Sequence, residues 1–293
     1  MNKIDHVFHF TKTIDIVKSI FDTGFKPSYC MEKLGELDML VAMVPFSNIL
    51  LNDYGKDQVI FYGNYAIGFS RDWAINNDIN PVAYTYENGI LYNSINELIL
   101  STVMFKSLPE FKHHYKAFHE KGIDISQCSK LNPQIGTKSF PKEVVPIIRY
   151  ICENYNEELV DLIYEFSKKI FDTNWSILAL TKPYRVLTKD NIERIAYNDR
   201  EWRKLYADLD VLLESDANFN EWVGKNKPHF NEPQYLLKFD ITDVKCVLVN
   251  NKEEVTDLID YLNCKFDNKV IDSLVVSKEL IIGTKDTLIE NGF

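Results

Sequence analysis

The sequence predicts an α+β protein: a mixed sheet from N-terminal and C-terminal strands, with a helical insert in the middle. Runs rich in β-branched and aromatic residues fill the first ninety residues, and helical apolar periodicity then dominates. Both patterns recur in the last third. The chain has 293 residues, 45% of them hydrophobic, which is enough for a sizeable core. We expect one large domain over 1–293, with a strand-rich part (1–92), a helical insert (93–172) and a mixed part (173–293).

The strand-rich part opens with a strand, a turn and a helix. "IDHVFHF" predicts the first strand, and "TKTIDIVKSIFDTG" places its apolar residues on one helical face between a threonine cap and Gly24. Three further strand candidates follow: "MLVAMVPF", "VIFYGNYAIGFS" and "VAYTY". The glycines of the second candidate leave two alternatives open. They mark either strand ends of a hairpin or one strand that another backbone or a ligand approaches closely.

The helical insert is predicted from a capping box formed by Ser94 and Glu97 in "SINE". Amphipathic periodicity predicts further helices over 108–118, 141–154 and 157–171. In the mixed part, "QYLLKFDI" and "VKCVLV" predict a hairpin or paired strands, and "NNKEEVTDLIDYL" predicts an asparagine-capped helix.

Residues 190–213 fit both a helix and a strand. In a strand, Glu201 and Arg203 face one way and Trp202 the other. In a helix, Glu201 lies instead near Tyr197 and Leu205. The two alternatives group different residues around Glu201.

Charge and composition restrict the functional classes. Lys and Arg number 33 against 43 Asp and Glu, a net charge of −10, which disfavours non-specific nucleic-acid binding. No apolar run is long enough for a membrane helix, and we expect a cytoplasmic protein without membrane contact. The five cysteines are scattered and never spaced as C-x-x-C, so we expect neither a metal site nor a disulfide framework.

Three polar positions are candidates for chemistry. His9 ends the first strand, where it could serve as an acid, a base or a ribose ligand, or could simply bond a backbone carbonyl. Ser70 could position a neighbour in a pocket beside aromatic rings, or cap a short helix. Glu201 stands between Arg200 and Arg203, so it stays ionised; it could stabilise a cationic transition state or form a solvent-facing ion pair.

An ordered set of segments resembles the AbiGi family, described as antitoxin components of the AbiG abortive phage-infection system. The segments are "HFTK", "IFDTGFKPSYC", "VPFSNILL", "YGNYAIGFSRDWA", "NPVAY", "TKPYR" and "YNDREWR". Two departures stand out: Phe46 and Ser47 stand where a cysteine-containing run is typical, and "NDREWR", with Asp199 and Arg200, stands where "DEREWR" is typical. The first departure argues against a thiol or metal role for that segment.

A second likeness is architectural. A histidine followed by a threonine at the end of the first strand, an aromatic strand ending in "GFS" and a late glutamate are similar to the pattern of ADP-ribosyltransferases. The resemblance implies His9, Ser70 and Glu201 as catalytic residues. It implies an NAD site whose further residues are Thr11, Tyr65, Arg71, Trp202 and Arg203.

Two functions follow from these resemblances. The first is an antitoxin or regulator of an abortive-infection system that acts through a cognate toxin or another protein partner, and it implies no particular cofactor. The second is an NAD-dependent mono-ADP-ribosyltransferase-like toxin or effector that uses His9, Ser70 and Glu201.

Overall fold

The structure is a computed structural model. It describes residues 5–34, 37–55, 61–87, 89–106, 134–135, 138–139, 150, 154, 157–187, 193–206, 208–209, 211–213, 218–223, 228 and 230–293. The predicted helix over 108–118 and most of the one over 141–154 lie outside these residues.

The described elements are short strands and helices that alternate in small groups. The strands are β1 (His6–Thr11), β2 (Ser28–Leu34), β3 (Leu37–Ser47), β4 (Tyr65–Ser70), β5 (Ile79–Pro81), β6 (Ala83–Thr85), β7 (Gln134–Ile135), β8 (Lys138–Ser139), β9 (Thr181–Pro183), β10 (Arg185–Leu187), β11 (Glu193–Ile195), β12 (Glu201–Leu205), β13 (Leu212–Leu213), β14 (Val244–Leu248) and β15 (Ile281–Gly283). The α-helices are α1 (Ile14–Thr23), α2 (Arg71–Asn76), α3 (Ile90–Lys106), α4 (Glu157–Ala179), α5 (Phe219–Val223), α6 (Lys252–Lys265), α7 (Asn268–Val276) and α8 (Lys285–Glu290).

Nine of these strands form one mixed sheet. Its main path runs β15-β14-β4-β1-β3-β12-β5, and both β2 and β13 pair with β3. The pairing of β14 with β15 is parallel, and the other pairs in this sheet are antiparallel. The prediction of a mixed sheet built from N-terminal and C-terminal strands is therefore confirmed.

Helices cover both faces of the sheet. On one face, α1, α2, α6 and α7 pack over β1, β3 and β4 around a core that includes Phe46 and Phe69. On the other face, α3 and α4 pack over β3 through Ile95 and Trp175, while α8 packs through Leu288 beside Phe8. The helices α3 and α4, which begin and end the predicted insert, thus supply one layer over the sheet.

Glycine lets two backbone segments meet closely before β4. Gly63 has φ +103°, and a Cβ atom placed on it would lie 2.1 Å from the carbonyl oxygen of Thr11. A side chain at this position would collide with the end of β1. The aromatic run is not one strand, since β4 begins at Tyr65, but the close approach of another backbone is present at Gly63.

Several predicted elements agree with the structure. The first strand and its following helix are β1 and α1, whose caps are Thr13 and Gly24. The asparagine-capped helix is α6, in which Asn251 accepts a hydrogen bond from the backbone N–H of Glu254. The ambiguous segment contains the strand β12, so Glu201 and Trp202 do face opposite ways.

Other predictions were wrong. Helix α3 begins at Ile90, so Ser94 lies inside the helix and does not cap it. The segment "QYLLKFDI" contains short 3-10 turns and one isolated bridge, from Phe25 to Leu237, instead of a strand. Consequently β14 forms no hairpin with it; β14 pairs with β4 and β15, because the burial of its apolar run on both faces favours the centre of the sheet.

Candidate functional site

The pleat of the sheet separates His9 from Glu201. Phe8 pairs with Ser47, and Ser47 pairs with Glu201, so these three residues share one face. Successive strand residues alternate between faces, which places His9 on the opposite face, with Trp202. The structure therefore does not bring His9 and Glu201 into one cleft.

His9 is half-buried among aromatic rings. Its Nδ1 donates a hydrogen bond to the carbonyl oxygen of Pro45 at 2.8 Å, and its ring lies edge-on to those of Phe25 and Phe46. Burial lowers the pKa of His9 to about 4, although the bond to Pro45 partly opposes this shift. The imidazole is neutral at pH 7 and is held by packing.

The remaining predicted site residues have separate partners. Ser70 caps α2 by accepting a hydrogen bond from the backbone N–H of Trp73 at 3.1 Å. Tyr65 donates to Glu254 Oε1 at 2.9 Å, and Arg71 pairs with Asp5 at the same distance.

Thr11 is buried at the end of β1, and Trp202 packs against the core on the His9 face. Thr11 pairs with Tyr65 across β1 and β4, and binding of NAD by these residues stays a prediction.

Glu201 lies at the centre of a buried ionic network. It is 7% exposed, and its two carboxylate oxygens accept from Lys182 Nζ at 2.8 Å and from Arg203 Nε at 2.7 Å. Arg203 has no solvent exposure. Its guanidinium also donates to the carbonyl oxygen of Ala179 at 2.5 Å and lies 2.9 Å from Glu32 Oε1. The network joins β2, β9 and β12 to the end of α4.

A second buried pair extends this network. Asp199 is 1% exposed, pairs with Arg194 and accepts a hydrogen bond from Tyr62 at 2.8 Å. Arg194 also lies over the rings of Phe61 and Tyr62. Between the two pairs, the backbone N–H of Glu201 donates to the hydroxyl of Tyr84 at 2.8 Å. We call Glu32, Lys182, Arg194, Asp199, Glu201 and Arg203 the ionic cluster.

The charges of the ionic cluster balance. It contains three acidic and three basic side chains, so its formal charge is zero. Burial alone would raise the pKa of Glu201, but Lys182 and Arg203 outweigh that effect and lower it to about 2. Burial would likewise lower the pKa of Lys182, and Glu201 and Glu32 reverse the shift upward.

These pKa shifts determine which protonation states the ionic cluster has at neutral pH. At neutral pH Glu201 is ionised, so it is not a general acid, and Lys182 is protonated, so it is not a nucleophile. No charge in the cluster is left uncompensated for a charged ligand. The arrangement instead fixes β9, β12 and α4 relative to one another.

A row of four tyrosines leads from the ionic cluster to the surface. Tyr84 makes an edge contact with Tyr197, which stacks near Tyr184, which in turn stacks on Tyr86. The centroid distances along this tyrosine row are 5.4, 5.6 and 4.4 Å. Tyr86 is 62% exposed and Tyr197 is 46% exposed.

The sequence reasoning missed several residues of this region. Lys182 and Glu32 lie far in sequence from their partners Glu201 and Arg203 and meet them only in the folded structure, whereas Arg194 is five residues from its partner Asp199. The segments "TKPYR" and "NPVAY" could have pointed to this region, because they contribute Lys182, Tyr184 and Tyr84. Arg200 was expected to pair with Glu201; it occupies a left-handed turn with φ +41°, and Lys182 is the second cation instead.

Among the residues that the structure describes, no group of three or more His, Cys, Asp or Glu could hold a metal ion. In the same part of the chain, every helix is too short or too polar to cross a bilayer.

Comparison with known proteins identifies a family. A family model described as "Putative abortive phage resistance protein AbiGi, antitoxin" matches residues 28–250. No curated protein and no solved structure matches the chain, so nothing supports the likeness to ADP-ribosyltransferases. The matched range includes the whole ionic cluster and the tyrosine row, whereas His9 and Thr11 precede it. Because the match covers well over half of its residues, the chain belongs to the AbiGi family.

Proposed function

We propose that this protein is an antitoxin of an abortive-infection system and that it acts by binding a protein partner. The observation that carries the proposal is the family match over residues 28–250. An antitoxin can neutralise a toxin by contact alone, which requires a stable surface and no catalytic group.

The geometry around Glu201 is consistent with such a role. The ionic cluster is buried and charge-balanced, which suits a scaffold more than a reaction centre. The neighbouring tyrosine row presents exposed aromatic rings, and tyrosine is enriched in protein interfaces. The net charge of −10 favours association with a basic protein through electrostatic complementarity.

The test is neutralisation in bacterial cells. Each gene adjacent to the one encoding this protein is expressed from an inducible promoter, alone and together with this protein. We expect one neighbour to arrest growth and co-expression to restore it, and the two purified proteins to elute as one complex. The proposal fails if no neighbour is toxic, or if the toxic one is not relieved.

A variant separates binding from catalysis in the same assay. His9→Gln keeps a hydrogen-bonding side chain but removes the imidazole that the transferase hypothesis requires. An antitoxin that acts by contact should neutralise equally well with this substitution. Loss of neutralisation in a His9→Gln protein that folds normally would contradict the proposed mechanism.

A further inference from the structure

We propose that the outer tyrosines, Tyr86, Tyr184 and Tyr197, form a docking surface for an arginine- or lysine-bearing segment of the partner protein. This inference rests on the proposed function, because it assigns the partner's contact to one surface and states the chemistry of the bound segment.

The three rings form a continuous aromatic surface. Tyr86 and Tyr184 stack at 4.4 Å with an interplanar angle of 26°, and Tyr184 and Tyr197 at 5.6 Å with 24°. Exposed single apolar residues are ordinary on proteins, whereas tyrosine is enriched at interfaces because its ring packs while its hydroxyl stays hydrated. Tyrosine offers a large rigid contact area at low entropic cost.

Backbone hydrogen bonds hold the rings in place. The N–H of Tyr184 donates to the carbonyl oxygen of Thr85 at 2.7 Å, and the N–H of Ala196 donates to that of Tyr184 at 2.8 Å. These bonds connect the segments that carry all three rings. Tyr197 also contacts Tyr84, whose hydroxyl accepts from the backbone of Glu201. The ionic cluster therefore preorganises the surface, which lowers the entropy lost on binding.

The chemistry of the surface favours a cationic occupant. The faces of phenol rings attract cations, and guanidinium groups most often take this position. The exposed Glu87 follows Tyr86 directly, and the chain as a whole carries a charge of −10. Nearby, the guanidinium of Arg194 already lies 4.8 Å from the centroid of the Phe61 ring.

The same surface is poorly suited to nucleic acid. Bases could stack on tyrosine rings, but binding also needs cations that follow the phosphates. Of the arginines beside the row, Arg185 pairs with Glu193 at 2.5 Å and Arg194 pairs with Asp199. The observations therefore favour a basic protein segment.

The first experiment measures binding of a fluorescein-labelled peptide of six Arg-Gly repeats by fluorescence anisotropy. Wild type is compared with Tyr86→Ala/Tyr197→Ala, and with Phe166→Ala, which removes a ring that is 65% exposed on α4. Two cation–π contacts correspond to about a tenfold change in Kd. We expect that loss in the double variant and an unchanged Kd for Phe166→Ala.

A conservative variant and two competing probes complete this test. Tyr86→Phe/Tyr197→Phe retains the ring faces and should bind within about twofold of wild type. The assignment is overturned if the double alanine variant binds the peptide as wild type does, or if six Glu-Gly repeats bind equally well. Tighter binding of a twelve-nucleotide single-stranded DNA would overturn it as well.

The growth assay distinguishes this inference from the proposed function. If wild type and Tyr86→Ala/Tyr197→Ala both neutralise the toxin and bind it with equal affinity, the surface is wrong and the antitoxin role stands. If wild type itself does not neutralise, the proposed function fails, and the peptide measurement still decides whether the tyrosines bind basic segments.

Discussion

Replacing Glu201 by Gln tests whether the ionic cluster is a structural centre. The substitution keeps the size of the side chain and removes its negative charge, so Lys182 and Arg203 lose a buried counter-ion. The pKa of Glu201 is lowered from 4.5 to about 2, and each unit corresponds to about 1.4 kcal/mol. We therefore expect the free energy of unfolding at pH 7 to fall by about 3 kcal/mol, at the lower end of the roughly 3–5 kcal/mol seen when one buried partner is removed.

The contribution of Glu201 to the free energy of unfolding depends on pH in a direction that its pKa shift determines. The folded-state pKa of Glu201 lies below its unfolded value of 4.5, so its contribution is complete above that pH and is lost as the pH falls toward 2. Wild type should lose this part of its stability on acidification. Glu201→Gln lacks it already, so the two proteins should converge in stability at low pH.

The assay is urea unfolding followed by tryptophan fluorescence, since Trp73 and Trp175 are buried in the two main cores. The matched control is Glu193→Gln, which removes the same charge from an exposed pair with Arg185. Exposed pairs contribute under about 1 kcal/mol. If Glu201→Gln changes the free energy of unfolding by no more than Glu193→Gln, the reasoning about the cluster is refuted.

Three other perturbations have expected outcomes. Gly63→Ala should lower the free energy of unfolding by at least about 2 kcal/mol, because the new Cβ would collide with Thr11. The control Gly292→Ala has φ +93° and no atom within 4 Å of its Cβ, so it should cost only backbone strain, and equal losses in the two variants on denaturant unfolding would contradict the close approach. In the native protein, iodoacetamide should modify the exposed Cys264 before the buried Cys246, because burial raises the pKa of the Cys246 thiol. Peptide mapping that finds Cys246 modified first would contradict this prediction. The free energy of unfolding should fall as the pH drops from 6.5 to 4, because His9 gains a proton in the unfolded chain before it does in the folded protein, where its pKa is about 4. The urea midpoint should therefore depend less on pH in His9→Gln than in wild type, and an identical pH dependence in both proteins would refute the assignment.

The local sequence pattern predicted an element correctly where that element depends on residues close to it in sequence. Thr13, the apolar face of α1 and Gly24 predicted that helix correctly, and Asn251 predicted the start of α6. In each case the capping group and the apolar stripe lie within one or two turns of the chain. Strand parity was also local: once β12 is a strand, Glu201 and Arg203 must share a face.

Local pattern failed where distant contacts compete with it. Ser94 and Glu97 form a capping-box sequence, yet α3 already begins at Ile90 and contains Ser94. The segment "QYLLKFDI" has strand-like composition, but its only strand-type contact is the single bridge between Phe25 and Leu237. Propensity is a weak prior, and tertiary packing overrode it at both places.

The sequence by itself determined the mixed composition of the fold and the likeness to the AbiGi family. Only the tertiary structure decided that His9 and Glu201 lie on opposite faces, because that depends on the pairing of β1, β3 and β12. Only the tertiary structure brought Lys182 to Glu201 and Glu32 to Arg203, and only it assembled the tyrosine row from separate segments. Strand register brings residues far apart in sequence into contact, and the alternation of a single strand carries no information about which distant residue it will meet.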